Sequence, residues 1–261
     1  MKLIITEDSP GVLTATYIKE RIKAFNPTPK KPFVLALPTG GTAVDMYSHL
    51  VSLYKSGAVS FDNVITFNLD EYVNFDTNNP QSYKSYMYTN FFSKVSFNPD
   101  NINIPNGNAK DMSQTAMAYE EKIKSLGGIE LLIGGVGTNG HIAFNEPNSP
   151  INSRTRVIDL AEKTLRDNSK FFNNDINAVP KQAITMGLAT ISDAREVIIM
   201  ATGQNKAEAV WRAIEGPKDI HWPITILQSH QNAYLVADKA ASSEVSKKAA
   251  TCGVCSFDPI K

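Results

Sequence analysis

The residues best suited to chemistry in this sequence lie in one stretch, GGVGTNGHIAFNEP at 134–147. It begins with closely spaced glycines and continues to His141 and Glu146, an imidazole and a carboxylate. Glycine-rich turns let backbone N–H groups converge on an anion, and histidine can transfer protons near neutral pH. The stretch therefore predicts proton transfer beside a bound anion. The alternative is a satisfied histidine next to a surface acid.

Two adjacent carboxylates, Asp70 and Glu71, follow an apolar run at 64–67. Successive side chains of an extended segment point to opposite sides, so we expect only one of the two to face a cleft. A carboxylate in that position is a candidate general base. The alternative is that both acids lie at a solvated strand end or cap a helix.

Two further turns are suited to binding phosphate. Thr39, Gly40, Gly41 and Thr42 lie between an apolar run and a helical pattern, where N–H groups and the positive end of a helix attract an anion. Lys206 lies where another helical pattern begins, and a cation is unfavourable there unless an anion offsets it. The alternatives are a tight turn without a ligand and a lysine that extends into solvent.

Short apolar runs alternate with amphipathic segments, and this alternation positions the turns. The runs are continuous rather than alternating in polarity, which is typical of parallel strands covered on both faces. The predicted strands lie at 33–37, 64–67, 131–133, 197–200 and 234–237, and helical patterns begin near Pro10, Asp111 and Ala207. We predict an α/β fold, a three-layer α/β/α Rossmann-like arrangement with an open, mostly parallel sheet. Ligands bind such sheets beyond the carboxyl ends of the strands.

Composition restricts the class of protein. We predict a single domain over residues 1–261, because neither repeats nor linker-like segments interrupt the pattern. Lysine plus arginine and aspartate plus glutamate both number 26, so no net charge attracts nucleic acid or a membrane surface. No apolar run approaches the ~18 residues of a membrane span. With only two cysteines, both near the tail, we expect a cytoplasmic protein without a disulfide framework.

Two other kinds of site fit the sequence poorly. Gly135, Gly137 and Gly140 have the spacing of a dinucleotide-binding fingerprint, but prolines follow and no helical period appears, so we reject NAD binding. The four histidines lack ligand-like spacing, and Cys252 and Cys255 lie outside any strand-to-helix context. We therefore predict no metal site.

The chain resembles the glucosamine-6-phosphate deaminases, the isomerising, ammonia-releasing enzymes of amino-sugar catabolism. The resemblance covers residues 3–245, and its specific stretches are 33–42, 64–72, 134–147 and 153–156. The most specific is HIAFNEP at 141–147. The related sugar-phosphate lactonases share the fold and a Gly-His turn, but not the Phe-Asn-Glu-Pro continuation.

The resemblance implies a reaction and a set of site residues. His141, supported by Glu146, would help to open the ring of glucosamine 6-phosphate. Asp70 matches the base that moves the C2 proton to C1, after which water attacks C2, ammonia leaves and fructose 6-phosphate remains. The matched substrate- and phosphate-binding residues are Thr39, Gly40, Gly41, Thr42, Lys170 and Lys206, with Lys170 where the family often has arginine.

The resemblance also implies properties beyond the reaction. The family needs no organic cofactor, and its mobile lid matches residues of about 160–180. Family members include hexamers and monomers, and the length of this chain is nearer to the hexameric kind. A homo-oligomer is therefore expected, with a hexamer as one candidate.

Two departures from the family pattern bear on activity. Asn139 occupies the position, just before Gly-His, where the family usually has aspartate, so it brings no charge to His141. We expect a slower enzyme or a shifted pH optimum. Arg156 matches one contact of the family's allosteric site for N-acetylglucosamine 6-phosphate, but Ile158 and Pro150 replace a lysine and a serine. We therefore expect weak or absent activation.

Two other functions agree with parts of the sequence. A non-catalytic sensor of amino-sugar phosphates would account for Asn139, although Asp70, His141 and Glu146 oppose it. A sugar-phosphate lactonase would share the fold, although the residues that follow His141 oppose it. Galactosamine 6-phosphate also stays open as a substrate.

Overall fold

The computed structural model describes residues 1–246 of the chain. Cys252 and Cys255 lie outside these residues, and so does the part of the metal-site prediction that concerns them. None of the helices in the described part combines the length and apolar character that crossing a bilayer requires.

Ten strands and seven α-helices make up the described chain. The strands are β1 (Lys2–Thr6), β2 (Phe33–Leu37), β3 (Val64–Asn68), β4 (Asp70–Tyr72), β5 (Ile102–Asn103), β6 (Leu131–Gly135), β7 (Arg156–Asp159), β8 (Gln182–Thr185), β9 (Val197–Ala201) and β10 (Ala233–Asp238). The helices are α1 (Pro10–Phe25), α2 (Ala43–Lys55), α3 (Tyr83–Asn90), α4 (Met112–Ser125), α5 (Glu162–Ser169), α6 (Leu188–Ser192) and α7 (Ala207–Ile214).

Seven parallel strands form the central sheet, in the order β1-β10-β9-β6-β2-β3-β5. All five strands predicted from the apolar runs belong to it, so the predicted mostly parallel α/β fold is confirmed. The connection after β2 leads to β3 on one side, whereas the chain after β6 leads to β9 on the other. Because β2 and β6 are neighbours, their departing loops leave a crevice between them, where ligands bind in sheets of this kind.

Helices cover both faces of the sheet, which explains why the strand sequences are continuously apolar. Phe33, Leu35 and Leu37 of β2 share a buried cluster with residues of α1 and α2. Val34 and Ala36 point the other way and share a second cluster with residues of α4 and α7. Each large side chain buried here contributes about 1.5–3 kcal/mol relative to exposure. The two clusters hold the strand ends, and therefore the turns after them, in fixed positions.

Local sequence signals set the starts of two predicted helices. Pro10 is the first residue of α1, and the Ser9 hydroxyl accepts a hydrogen bond from the Gly11 N–H at 3.2 Å. The Asp111 carboxylate likewise accepts from the Gln114 N–H at 2.8 Å and caps α4. Both caps satisfy N–H groups that lack a partner within the helix.

A second sheet, antiparallel and in the order β4-β8-β7, was not predicted. β4 continues from β3, β7 lies within the stretch 145–182, which is rich in Asn, Pro and Ser, and β8 begins at the end of that stretch. Only Leu69 separates β4 from β3, so the chain passes directly from the main sheet into the small one. This junction places Asp70, the first residue of β4, at the carboxyl edge of the parallel sheet.

Candidate active site

A cavity of about 810 Å³ lies at the carboxyl ends of the parallel strands. Its volume is typical of sites for small molecules. The sequence-predicted residues that line it are Thr39, Gly40, Gly41, Thr42, Asp70, His141, Lys170 and Lys206. Asn139 and Glu146 lie behind His141 and reach the cavity through it, whereas Arg156 is not among the lining residues.

Asp70 and Glu71 face opposite ways, as expected for successive residues of a strand. Asp70 lines the cavity. The Glu71 carboxylate instead accepts hydrogen bonds from the N–H groups of Tyr72, Tyr83 and Lys84, at 2.9, 3.0 and 2.8 Å. Tyr83 and Lys84 are the first two residues of α3, so Glu71 caps this helix. Glu71 therefore has the helix-cap role, and Asp70 is the acid of the pair that stays a candidate general base.

The Asp70 carboxyl is suited to accept a proton near neutral pH. Burial and, to a smaller extent, the negative charge of Glu71 raise its pKa to about 8. An ordinary aspartate, with a pKa near ~4, would be a weak base by comparison. Raising the pKa toward the working pH increases the driving force for removing a proton from carbon while a useful fraction of the carboxyl stays ionised.

His141 belongs to a hydrogen-bonded chain with Asn139 and Glu146. The Asn139 amide nitrogen lies 2.7 Å from Oε2 of Glu146, and its oxygen lies 2.7 Å from Nδ1 of His141. An ionised carboxylate only accepts hydrogen bonds, so Glu146 fixes which end of the amide faces the histidine. Nδ1 of His141 then carries the proton and donates to Asn139. Nε2 keeps its lone pair and is the ring atom able to accept a proton.

The charge state of His141 agrees with this assignment. Burial lowers the pKa of its imidazole, and Lys206 lowers it further, while Glu146 acts in the opposite direction. The net direction favours the neutral ring near pH 7. A neutral ring with a fixed tautomer is a base at Nε2, and it becomes an acid once it has taken up a proton.

The glycine spacing of this turn serves the imidazole. A Cβ on Gly137 would lie 2.2 Å from Cε1 of His141, so only glycine leaves room for the ring. The Gly137 N–H also donates to the His141 carbonyl at 2.8 Å, which closes the turn. After β6 the next α-helix is α5, which begins at Glu162, so this turn does not open a helix as a dinucleotide-binding turn would.

The turn after β2 is held by two tyrosines. The Tyr47 hydroxyl donates to the Pro38 carbonyl at 2.5 Å, and the Tyr86 hydroxyl donates to the Gly40 carbonyl at 2.7 Å. In a trans peptide the N–H points opposite to the carbonyl, so the next N–H groups point away from these hydroxyls. Gly40 has φ +102°, a conformation that a side chain would strain. The turn can therefore present N–H groups to an anion.

Three lysines line the cavity, Lys163, Lys170 and Lys206. Lys206 immediately precedes α7, as predicted. Burial lowers the pKa of its ammonium, and Asp167 partly opposes this effect. Lys163 and Asp167 lie on α5 and were not predicted individually, although the resemblance marks residues of about 160–180 as a lid. A cluster of cations beside N–H groups is suited to phosphate.

Arg156 lies in β7 outside the cavity lining. Its guanidinium donates to Oδ1 of Asn145 at 2.9 Å and to the Arg154 carbonyl at 3.4 Å. Asn145 is fully buried and donates in turn to the carbonyls of Ile142 and Met186. Arg156 therefore contacts the residue next to Glu146 and not the cavity lining.

Taken together, the cavity brings two proton-transfer groups from different strand ends to one space. Asp70 supplies a carboxylate, His141 supplies an imidazole, and the lysines and the turn after β2 supply positive charge. Among residues 1–246, no three or more His, Cys, Asp or Glu side chains are grouped so as to hold a metal ion. The arrangement can move protons on a phosphorylated substrate by acid–base chemistry of its own side chains.

Comparison with known sequences agrees with this chemistry. The model of a family described as glucosamine-6-phosphate isomerases/6-phosphogluconolactonase matches residues 12–236. A curated glucosamine-6-phosphate deaminase from Tolumonas auensis is 52% identical over 238 residues, which are 91% of this chain and 90% of that protein. One from Bacteroides fragilis is 51% identical over 247 residues, 94% of this chain and 92% of that protein.

Solved structures place the fold in the same group. A monomeric glucosamine-6-phosphate deaminase superposes with a TM-score of 0.85 at 36% identity, covering 94% of this chain and 100% of that one. The 6-phosphogluconolactonase from Trypanosoma brucei gives a TM-score of 0.68 at 21% identity, covering 94% and 98%. At that identity the second likeness shows a shared fold alone.

Proposed function

The chain belongs to the glucosamine-6-phosphate isomerase/6-phosphogluconolactonase family, and we propose that it is a glucosamine-6-phosphate deaminase. Such an enzyme converts glucosamine 6-phosphate and water to fructose 6-phosphate and ammonia. The observation that carries the proposal is that Asp70 and His141 line one cavity together with three lysines. The relatives that are about half identical and bear this name support it.

In the first step, His141 opens the sugar ring. Nε2 takes the proton of the C1 hydroxyl and delivers it to the ring oxygen as the bond between C1 and that oxygen breaks. The imidazolium formed in between is stabilised by the Glu146 carboxylate, whose Oε2 lies 3.7 Å from Nδ1 of His141. Asn139 keeps the His141 imidazole oriented during both proton transfers.

In the second step, Asp70 isomerises the open chain. Its carboxylate removes the proton from C2, the ammonium group on C2 gives a proton to the C1 aldehyde oxygen, and an enolamine forms. Asp70 then returns its proton to C1, which leaves an imine at C2. Water adds to C2, the nitrogen leaves as ammonia, and fructose 6-phosphate remains. Lys170, Lys206 and the turn after β2 hold the phosphate while these protons move.

One assay tests the proposed function. Purified protein is given glucosamine 6-phosphate, galactosamine 6-phosphate or 6-phosphogluconolactone, and ammonia, fructose 6-phosphate and lactone hydrolysis are measured. We expect ammonia and fructose 6-phosphate in equal amounts from the first sugar. Lactone hydrolysis alone would favour the lactonase, and binding without turnover would favour the sensor.

The same assay addresses activation by an effector. We propose that N-acetylglucosamine 6-phosphate changes the KM little, since Arg156 is already bonded to Asn145 and Ile158 offers no cation. A severalfold drop in KM on adding the acetylated sugar would contradict this.

We also propose that the enzyme is a homo-oligomer, with a hexamer as one candidate, which light scattering of the purified protein would test.

The pH dependence of kcat/KM should follow Asp70. The carboxylate is the active form, so kcat/KM should rise as the pH increases through about 8 and level off above it, the pKa to which burial raises Asp70. The rise should move to lower pH in Glu71→Gln, because the neighbouring charge that raises the Asp70 pKa is gone. Substrate ionisation is the same for both proteins, so it cannot cause that difference. A rise of kcat/KM near pH 4 in the wild type would contradict the assignment of this ionisation to Asp70.

Restoring an acid at position 139 should raise turnover. The carboxylate of Asn139→Asp would accept the Nδ1 proton of His141 directly, which stabilises the imidazolium and raises its pKa. We expect kcat for ammonia release to increase about fivefold, since charge-assisted hydrogen bonds are roughly twice as strong as neutral ones. The new acid would also touch Glu146, and the two carboxylates would share a proton at low pH. The gain should therefore be larger at pH 9 than at pH 6.

Asn139→Ala serves as the control, because it removes the hydrogen bonds that link Glu146 to His141 without adding charge. We expect it to lower kcat and to loosen the tautomer of His141. Unchanged or lower activity of Asn139→Asp across the whole pH range would show that the amide is the better partner in this chain.

A further inference from the structure

Helix α5 lies over the cavity and is attached through one of its faces. Thr164 and Asn168, four residues apart on that face, both contact residues outside the helix. The Thr164 side chain is only 4% exposed, and its hydroxyl donates to Oε1 of Glu146. The Asn168 amide donates to the Tyr72 hydroxyl at 3.0 Å. The residues on the other side of the helix, among them Glu162 and Arg166, are exposed.

Thr164 extends the hydrogen-bonded chain that ends at His141. Glu146 uses one carboxylate oxygen to accept from Thr164 and the other to accept from Asn139. The two bonds fix the rotation of the carboxylate about its last torsion. With the first bond absent, the carboxylate could turn and leave the Asn139 amide. Asn139 would then be free to present its N–H₂ group to His141 instead of its oxygen.

That reversal would change the chemistry of the imidazole. Facing an amide N–H₂ group, Nδ1 of His141 would have to accept a hydrogen bond, so the proton would move to Nε2. Nε2 is the atom that needs a lone pair to take a proton from substrate. The hydroxyl on α5 therefore acts on a ring nitrogen that it does not touch.

We propose that Thr164 is a positioning residue of the active site, whose hydroxyl holds Glu146 so that Asn139 keeps His141 in the Nδ1-protonated tautomer. Its kinetic consequence rests on the proposed deaminase function, whereas its effect on the tautomer does not. A purely structural role, anchoring α5, is the competing explanation, because the same hydroxyl also tethers the helix.

Thr164→Val tests the proposal by removing the hydroxyl while keeping the branched shape. We expect kcat for ammonia release to fall about tenfold with KM within about twofold, the loss typical of a hydrogen bond to a charged group. The ¹⁵N NMR spectrum of His141 should change from a single Nδ1-protonated form to a mixture of both tautomers. Thr164→Ser, which keeps the donor, should recover kcat to within about twofold of the wild type and restore the single form.

Thr190→Val is the matched control. Thr190 is equally buried, and its hydroxyl donates to a glutamate, Oε1 of Glu120, at 2.6 Å, away from the cavity lining. This variant loses a bond of the same kind and should lower thermal stability, yet leave kcat and the His141 spectrum unchanged. Should the valine at 164 unfold the protein, Thr164→Ala removes the same donor with less bulk against the carboxylate.

The outcomes separate the explanations. A wild-type kcat and a single Nδ1-protonated form in Thr164→Val would overturn the proposal, and so would a loss that Thr164→Ser does not recover. A rise in KM with kcat unchanged would assign Thr164 to anchoring the helix alone and would also overturn it. If the wild type releases no ammonia, the proposed function fails, and the tautomer of His141 in the same variants still decides the role of Thr164.

Discussion

Replacing Asp70 with asparagine should lower kcat for ammonia release from glucosamine 6-phosphate by about a thousandfold, within the range for loss of a general base. The amide has nearly the shape of the carboxyl but cannot take the proton from C2. Because the phosphate is held by other groups, KM should change by less than about threefold. Exchange of the C2 proton with deuterium from the solvent, followed by NMR, should become undetectable along with product formation.

The same variant should be more stable than the wild type at alkaline pH, which separates loss of chemistry from loss of fold. Burial raises the pKa of Asp70 to about 8, whereas the unfolded chain has the ordinary value near ~4. Between these values the folded state binds more protons than the unfolded state, so this group makes wild-type stability decrease as the pH rises from 4 to 8. Asparagine does not titrate. The thermal midpoint of Asp70→Asn should therefore exceed that of the wild type by a margin that widens up to pH 8 and then stays constant.

A variant that keeps ammonia release within tenfold of the wild type would remove Asp70 from the reaction. A loss of activity together with a lower thermal midpoint at pH 9 would instead indicate a damaged fold. In that case the kinetic loss could not be assigned to proton transfer.

Burial favours the uncharged form of both proton-transfer groups and therefore shifts their pKa values in opposite directions. It disfavours the charged form of each, so it raises the pKa of the Asp70 carboxyl and lowers that of the His141 imidazole. Asp70 then changes protonation near neutral pH, whereas His141 is held in its neutral form there. The parallel sheet produces this effect because it ends both segments at one water-poor edge.

The parts of the fold that sequence could predict are those governed by local pattern. Continuous apolar runs predicted β2, β3, β6, β9 and β10, since both faces of these strands are buried. The small sheet gave no such signal. β4 has three residues, and the side chains of β7 are half-buried or exposed, so neither resembles a covered strand. The alternation of strand side chains correctly predicted that only one acid of the pair at 70 and 71 faces the cavity.

Three of the predicted site residues lie at or shortly after the end of a strand. Asp70, His141 and Lys206 were identified from the sequence because strand ends converge on one edge of a parallel sheet. Thr164 could not be found in this way. It lies in a polar eight-residue helix with no motif, and its contact with Glu146 spans 18 residues of chain that include β7. The orientation of the Asn139 amide was also undetermined, because it depends on Glu146 as a partner across the turn.

Replacing His141 with glutamine should lower kcat about a hundredfold, less than the loss of Asp70, because the sugar ring also opens slowly in water without help. Glutamine can occupy the space and donate a hydrogen bond, but it cannot carry a proton from the C1 hydroxyl to the ring oxygen. Ring opening should then become the slow step. A deuterium isotope effect measured with substrate labelled at C2 should therefore shrink toward one in this variant, because the C2 bond breaks only after the slow step.

His221→Gln is the matched control for this variant. Nδ1 of His221 lies 2.7 Å from a carboxylate oxygen of Asp219, so this imidazole also has a side-chain partner at Nδ1, but it does not line the cavity. We expect its kcat to stay within twofold of the wild type. If His141→Gln instead kept a full isotope effect while losing a hundredfold in kcat, the slow step would still be proton removal at C2. His141 would then assist Asp70 in removing the C2 proton rather than open the sugar ring, and the proposed roles of these two residues would have to be revised.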